Sequence, residues 1–441
     1  KLTMSQALTK WMTNQKIEQF SSKHENAFVG VWGIFGHGNV AGLGEALFDV
    51  KDKLPTFRGH NEQGMAHAAI SFAKQKNRRQ MMAVTSSIGP GATNFLTACA
   101  LAYVNRLPVL FLPGDIFANR LPDPVLQQTE NFADATVSAN DCFKPISRFF
   151  DRITRPEQII QSLPKAMSVL TDPADCGPVT LSLCQDVQSE AYYYPETFFE
   201  PKVWKIRRQP CDFDELENVI KKINSSKNPL IIVGGGVKYS GAKTELENLI
   251  NSTGIPFAVT QAGKSSLDET NSKFVGSIGV TGSSVANELA KKSDLVISVG
   301  SRLQDFTTGS NTLISCEMIS INVQNHDVVK HKSISLLGDA KVSVKLILER
   351  INNFHISKQY ETEINRLKNL WEADVFKVTS KSDKNEIPPT LYPKILDTYE
   401  FRRKILSVII DPNDSTTFEE ELKKKSNFSF SPLKLFKSIF S

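Results

Sequence analysis

The sequence is short of the features that mark specialised proteins. Its six cysteines (Cys99, Cys142, Cys176, Cys184, Cys211 and Cys316) contain no CxxC pair and no zinc-ligand spacing. That excludes a disulfide framework and a structural zinc site, and it predicts buried thiols in a reducing, cytoplasmic compartment. No apolar run reaches transmembrane length, and the first residues lack the charged-then-apolar pattern of a signal peptide. Neither sign of charge dominates: 52 basic against 47 acidic residues leave +5, with no basic stripe interleaved with aromatics, so no nucleic-acid partner is expected. GxSxG, HExxH and GxxxxGK followed by Ser or Thr are all missing, which removes the serine hydrolase, zincin and P-loop readings. The seven histidines form no ligand pair at i, i+4, and no metal site is assigned.

What is present is ordinary globular chemistry in a long chain. With 441 residues, of which 40% are hydrophobic and 22% charged, two or three domains are expected. Continuous apolar, β-branched runs occur at 27–35, 81–87, 108–114, 178–183, 229–236, 256–261, 295–301 and 318–323. Strands buried on both faces read this way. Helical patterns such as "DELENVIKKIN" and "GAKTELENLINS" lie between them. Repeated β–α alternation predicts an α/β fold of doubly wound parallel sheets. The Pro- and aromatic-rich stretch at 190–210 lacks periodicity, as expected of a boundary, and a second boundary follows "KVSVKLILERINN". The expected division is residues 1–190, residues 205–355, and a linker with a divergent tail over 356–441.

A dinucleotide fingerprint fails on inspection. "VGGGVKYSG" follows a strand and opens a helix, but Tyr239 stands where the third glycine is needed. The next strand ends in Gln261 instead of an acid that would hold a ribose.

Four tight turns in the first domain, each after a predicted strand or at a helix start, form a more coherent set. They are "GIFGHGN" with Gly36 and His37, Glu62 behind the N-cap Asn61, "TSSIGPGATN" with Gly89, Pro90, Gly91 and Asn94, and Gly114-Asp115. Ligands of open parallel sheets bind at the carboxyl ends of the strands, and glycine lets backbone approach them closely. Read locally, Glu62 only complements a helix dipole. Read with the other turns, it is the one carboxylate in a crevice.

"VWGIFGHGN", "HNEQGMAHAAISFAK" and "TSSIGPGATNFLTACALAYVNRLPVLFLPGD" resemble the pyrimidine-binding domain of thiamine-diphosphate enzymes of the acetolactate-synthase group. "PLIIVGGGV", "TQAGKSSL", "GSIGVTGSSVANELAKKSDLVISVGSRLQDFTTGS" and "LLGDAKVSVKLI" resemble that group's Rossmann-like central domain. Within the group, "FGHGNVAGLGEAL", "LPGDIFANRLPDPVLQQTENFAD" and "NDCFKPISRFFDRITRPEQ" are most similar to the members that open a six-membered cyclic 1,2-dione in myo-inositol breakdown. Those members cleave a carbon–carbon bond hydrolytically. The resemblance implies thiamine diphosphate and Mg2+ as cofactors, a cyclic dione as substrate and a homo-oligomer. It also implies that Glu62 hydrogen-bonds the cofactor's pyrimidine and stabilises its imino tautomer, a role that a water-poor crevice strengthens. Gly36, His37, Gly89, Pro90, Gly91 and Asn94 would line the cofactor, together with Gln128 or its neighbour Gln127.

The sequence departs from the group towards its C-terminus. The family's Gly-Asp-Gly followed by Asn, which holds Mg2+ and the diphosphate, is not found. Gly338-Asp339-Ala340 is a near match, but it fits the end of the central domain. From Asn385 onward the family pattern is lost, and "PLKLFKSIF" is at most a short amphipathic segment. These observations predict a truncated form that binds the cofactor weakly by itself, without help from magnesium. They also predict self-association or pairing with a full-length relative. A non-catalytic remnant or regulatory subunit, and an acetolactate-synthase-like carboligase, are the alternative readings.

Overall fold

A computed structural model describes residues 1–380 except 120, 123, 124, 130, 132 and 352; the divergent tail from Asn385 lies outside the described residues. The fold is α/β, with two six-stranded sheets that are parallel throughout. The first sheet contains β1 (Phe28–Gly33), β2 (Thr56–Arg58), β3 (Met81–Ser86), β4 (Leu110–Asp115), β5 (Phe149–Ile153) and β6 (Val179–Cys184). Their spatial order is β2-β1-β3-β4-β6-β5. The second sheet contains β7 (Pro229–Val233), β8 (Phe257–Val259), β9 (Phe274–Ser277), β10 (Leu295–Val299), β11 (Glu317–Asn322) and β12 (Ile334–Leu337), in the order β9-β8-β7-β10-β11-β12. The eight runs read as strands are the interior strands of the two sheets. The four that the sequence did not disclose (β2, β5, β9 and β12) are the four edges.

Continuous apolar runs are needed because helices cover both faces of each sheet. In β3, Met81 and Ala83 pack into one cluster while Met82 and Val84 enter another on the opposite face. Along β4 and the residue before it, the same alternation sends Leu110 and Leu112 one way and Val109 and Phe111 the other. The second sheet has a single large core that includes Ile231, Val233, Phe257, Ile297 and Ile319.

The stretch expected to be a plain boundary is attached to the first unit. Lys202–Trp204 pairs in parallel with Gln15–Glu18, and the Phe198 ring stacks on Trp11 with centroids 6.2 Å apart. Direct contacts then join the two units. Arg106 Nη1 lies 2.6 Å from the Asp327 carboxylate, whose side chain is fully buried. Gln324 Nε2 donates to Asp175 Oδ1 at 2.7 Å, and the Arg78 guanidinium lies 3.8 Å from the centre of the Tyr239 ring.

The strand order reverses between β1 and β3 in the first sheet, which turns back again at its β6-β5 edge, and once, between β7 and β10, in the second. Crevices open at the carboxyl ends of such strand pairs.

Candidate active site

The chain leaving β1 and the chain leaving β3 meet at the first sheet's reversal point. Gly36 N–H donates to Asn39 Oδ1 at 3.0 Å, and Asn39 Nδ2 donates to Ile34 O and Thr85 Oγ1, each at 3.1 Å. This closed turn sits so near the neighbouring loops that side chains have no room. A Cβ on Gly36 would stand 2.7 Å from Ser87 Oγ, and one on Gly38 would stand 2.7 Å from Ile88 N. A Cβ on Gly114, in β4, would come within 2.7 Å of Gly38 O. Gln188, buried, holds the same turn from behind: Nε2 donates to Gly38 O at 2.7 Å, and Oε1 accepts from Leu43 N–H at 3.2 Å.

Glu62 opens the helix Glu62–Gln75, with Asn61 as its N-cap accepting from Gly64 N–H. The helix start aims the carboxylate at the turn after β3. Asn94 Nδ2 donates to Glu62 Oε2 at 2.7 Å, and a Cβ on Gly91 would lie 3.4 Å from Oε1. Oε1 has no hydrogen-bond partner among the described residues. Gly89 has φ of +61°, and a Cβ there would stand 2.1 Å from Gln127 O, so the turn requires glycine for conformation and for space. Pro90 takes the first position of the short helix Pro90–Thr93, where its missing N–H is harmless.

The segment after β4 completes the crevice. A His37 ring nitrogen lies 2.8 Å from Leu126 O, tying the β1 turn to residues 125–129. The two glutamines differ in their surroundings. Gln127 is exposed with φ of +58° and turns its carbonyl towards Gly89. Gln128 is half-buried, and its Nε2 has no hydrogen-bond partner. The turns carrying Gly36, His37, Glu62, Gly89, Gly91 and Asn94 therefore lie against one another.

Three contributors were missed by sequence reasoning. Ser87 lies between the Gly36 and Gly91 turns, and its only signal was its place directly after a strand. Asn39 and Gln188 act from behind the turn, and Gln188 is too distant in sequence to carry any signal.

The second sheet's reversal point is chemically different. Gly234 and Gly236 pack against Gly300, and a cleft of about 600 Å³ opens between the two units. Arg78, Arg79, Arg106, Arg207, Arg208 and Arg302 line it. Arg79 is 5% exposed, and burial followed by the nearby Arg208 lowers its pKa. Asp339 caps the helix Ala340–Arg350 and accepts from Ser240 and Arg208, so its carboxylate is committed to structure.

The chain belongs to the thiamine pyrophosphate enzymes. Residues 6–135 match the family's N-terminal TPP binding domain, and residues 216–348 match its central domain. Among its relatives is the 3D-(3,5/4)-trihydroxycyclohexane-1,2-dione hydrolase of Geobacillus thermodenitrificans, 45% identical over 381 residues, which cover 86% of this chain and 59% of the relative. The enzyme of the same name from Clostridium tetani is 46% identical over 379 residues, 85% of this chain and 58% of that one. Its Bacillus cereus counterpart is 43% identical over 378 residues, with coverage of 85% and 58%. The chain thus spans about three-fifths of the length of the curated relatives it matches.

Proposed function

We propose that this chain supplies the pyrimidine-binding part of a site that cleaves a carbon–carbon bond of a cyclic 1,2-dione by hydrolysis, the reaction named for its relatives. One observation carries the reading. A half-buried carboxylate, Glu62, is fixed through one oxygen by Asn94 and left free at the other, where the glycine turns converge. The free groups fit an aminopyrimidine: Glu62 Oε1 can share a proton with a ring nitrogen, and the orphaned Gln128 Nε2 can donate to a ring or substituent acceptor. Thiamine diphosphate, when bound, supplies a carbon acid whose anion adds to carbonyls and then holds the charge of the broken bond. Glu62 holds and returns the proton that this chemistry needs. Asn94 orients the carboxylate, and the packed turns keep bulk water from it.

The diphosphate and magnesium are proposed to be held outside the crevice, because the Gly-Asp-Gly and following Asn that hold them in the family are not found in the sequence. Burying a diphosphate takes a metal and oriented donors. A single hydrogen bond to a charged group contributes about 1.5–3 kcal/mol, whereas micromolar binding needs about 8 kcal/mol. The relatives' remaining length, or a second chain, would supply the difference. Self-association around the crevice is part of this proposal, as is a cytoplasmic location, which six free cysteines support.

The test is calorimetric titration of the chain with thiamine diphosphate, with and without magnesium. It is followed by assay for the ring-opened acid after the C-terminal part of a relative is added in trans. Weak binding by the chain alone, and turnover that needs the added part and Glu62, are expected. Turnover that survives Glu62→Gln would end this reading, and acetolactate formation in place of ring opening would redirect it to a carboligase.

A further inference from the structure

We propose that Ser87 is a substrate-binding residue whose hydroxyl donates a hydrogen bond to an oxygen substituent of a small oxygenated ring in the crevice. The inference rests on the site reading above and goes beyond it by assigning a residue that recognises the ring.

Ser87 follows the last residue of β3, where the chain leaves the sheet. Three glycines crowd it. A Cβ on Gly36 would stand 2.7 Å from its Oγ and 2.9 Å from its Cβ, one on Gly38 would stand 3.1 Å from Oγ, and one on Gly91 would stand 3.7 Å from Cβ. None of these turns brings a side chain of its own, so the functional groups available to a ligand here are few. Most of them are engaged. Asn39 donates to Ile34 and Thr85, Thr85 donates to Leu112 O, Asn94 donates to Glu62, and Ser86 Oγ donates to Ser87 O. A His37 ring nitrogen is held at Leu126 O.

Ser87 is engaged on one side only. Its Oγ accepts from Gly38 N–H at 3.3 Å, which occupies one lone pair and orients the hydroxyl. No acceptor for its proton is found among the described residues. A hydroxyl carries one donor and two acceptor positions, so Ser87 keeps its donor for a ligand. The nearby Glu62 carboxylate is an acceptor when ionised. With Glu62 Oε1 assigned to the cofactor's pyrimidine, Ser87 is the uncharged donor left among the glycine turns for a ring bearing carbonyl and hydroxyl oxygens. Sites built to hydrogen-bond an oxygen discriminate strongly against analogues that lack it.

The experiment is ligand-observed saturation-transfer NMR on the full chain. The probes are trihydroxycyclohexane-1,2-dione and unsubstituted cyclohexane-1,2-dione. Ser87→Ala, which only removes an oxygen, is expected to weaken binding about five- to tenfold. Its thermal unfolding should match that of the native chain. Loss with both probes places the contact at a ketone oxygen, and loss with the hydroxylated probe alone places it at a ring hydroxyl; either outcome supports the proposal. Equal binding by the native chain and Ser87→Ala overturns it, as does absence of binding by the native chain. Should Ser87→Ala also fold differently, Ser87→Cys, which keeps the shape and replaces the hydroxyl by a weak donor, must weaken the hydroxylated probe by a similar factor; equal binding there also overturns the proposal. This readout needs no turnover. If binding depends on Ser87 but no preparation is active, the functional reading fails and the Ser87 contact stands. If turnover depends on Glu62 while Ser87→Ala binds as the native chain does, only the Ser87 contact fails.

Discussion

At the first sheet's interior reversal point, glycine turns close around a carboxylate and a hydroxyl; at the second sheet's, similar turns open onto a cleft lined by six arginines. The backbones follow the same rule. In both, a parallel sheet reverses its order between two interior strands, and those strands send their chains apart to leave a crevice. The chemistry diverges because the second unit commits its acids to structure. Asp339 caps a helix and Asp327 pairs with Arg106, whereas Glu62 needs only Asn94 and keeps one oxygen free. Architecture sets where a ligand can sit, and uncommitted side chains set what it can be.

The largest test of this contrast exchanges charge at each site. In an active preparation, Glu62→Gln should lower kcat about a thousandfold, on the order of the effect of a proton-handling group. Asp339→Asn should leave kcat within about twofold while weakening the fold, because its carboxylate serves the cap and Arg208. Comparable losses of kcat from both would erase the distinction.

Next in size is the seam between the units. Asp327→Ala strands Arg106 and removes an ion pair whose acid is fully buried, so chemical denaturation should show a loss of about 3 kcal/mol. The single unfolding transition should split as the two sheets lose their bridge. A change below about 0.5 kcal/mol, the usual scale for a surface pair, would show that the seam contributes little.

A smaller effect is expected at the turn itself. Gly89→Ala forces a side chain into a left-handed position and against Gln127 O, at a cost of about 2 kcal/mol. It should displace residues 125–129 and weaken cofactor analogues. The same change at Gly241, which also has positive φ but lies away from the first crevice, should cost stability alone.

The smallest effect distinguishes the units by their thiols. In the first unit burial pushes Cys99 up to about 12 and Cys176 up to about 11 from an ordinary 9.0 and raises Cys184 further, three thiols against the two, Cys211 and Cys316, that burial raises in the second. A raised native pKa stabilises the protein below the ordinary value, and that contribution is lost as pH climbs from about 9 towards the native values. The first unit should therefore melt earlier than the second between about pH 9 and 11, seen by hydrogen exchange. Under native conditions a thiol reagent should modify the exposed Cys142 first.

By itself the sequence determined the α/β class, the interior strands, the glycine turns at Gly36 and Gly89–Gly91 and the carboxylate beside them, while Gly114-Asp115, expected as a turn, closes β4 itself. Each rests on a local signal. A strand covered on both faces must be apolar throughout, and a backbone that approaches other chain closely must be glycine. The edge strands β2, β5, β9 and β12 carried no such signal, because they are only partly buried and "TFR" or "FVGS" reads like a loop. Only the tertiary structure set the two glutamines apart, with Gln127 exposed at positive φ against Gly89 and Gln128 half-buried with an unpaired Nε2. Tertiary structure also brought Asn94 to Glu62, Gln188 to Gly38 and Ser87 between two turns. Those partners are separated by 32, 150 and up to 51 positions, so no sequence window contains them, and sheet order alone sets which strand ends become neighbours.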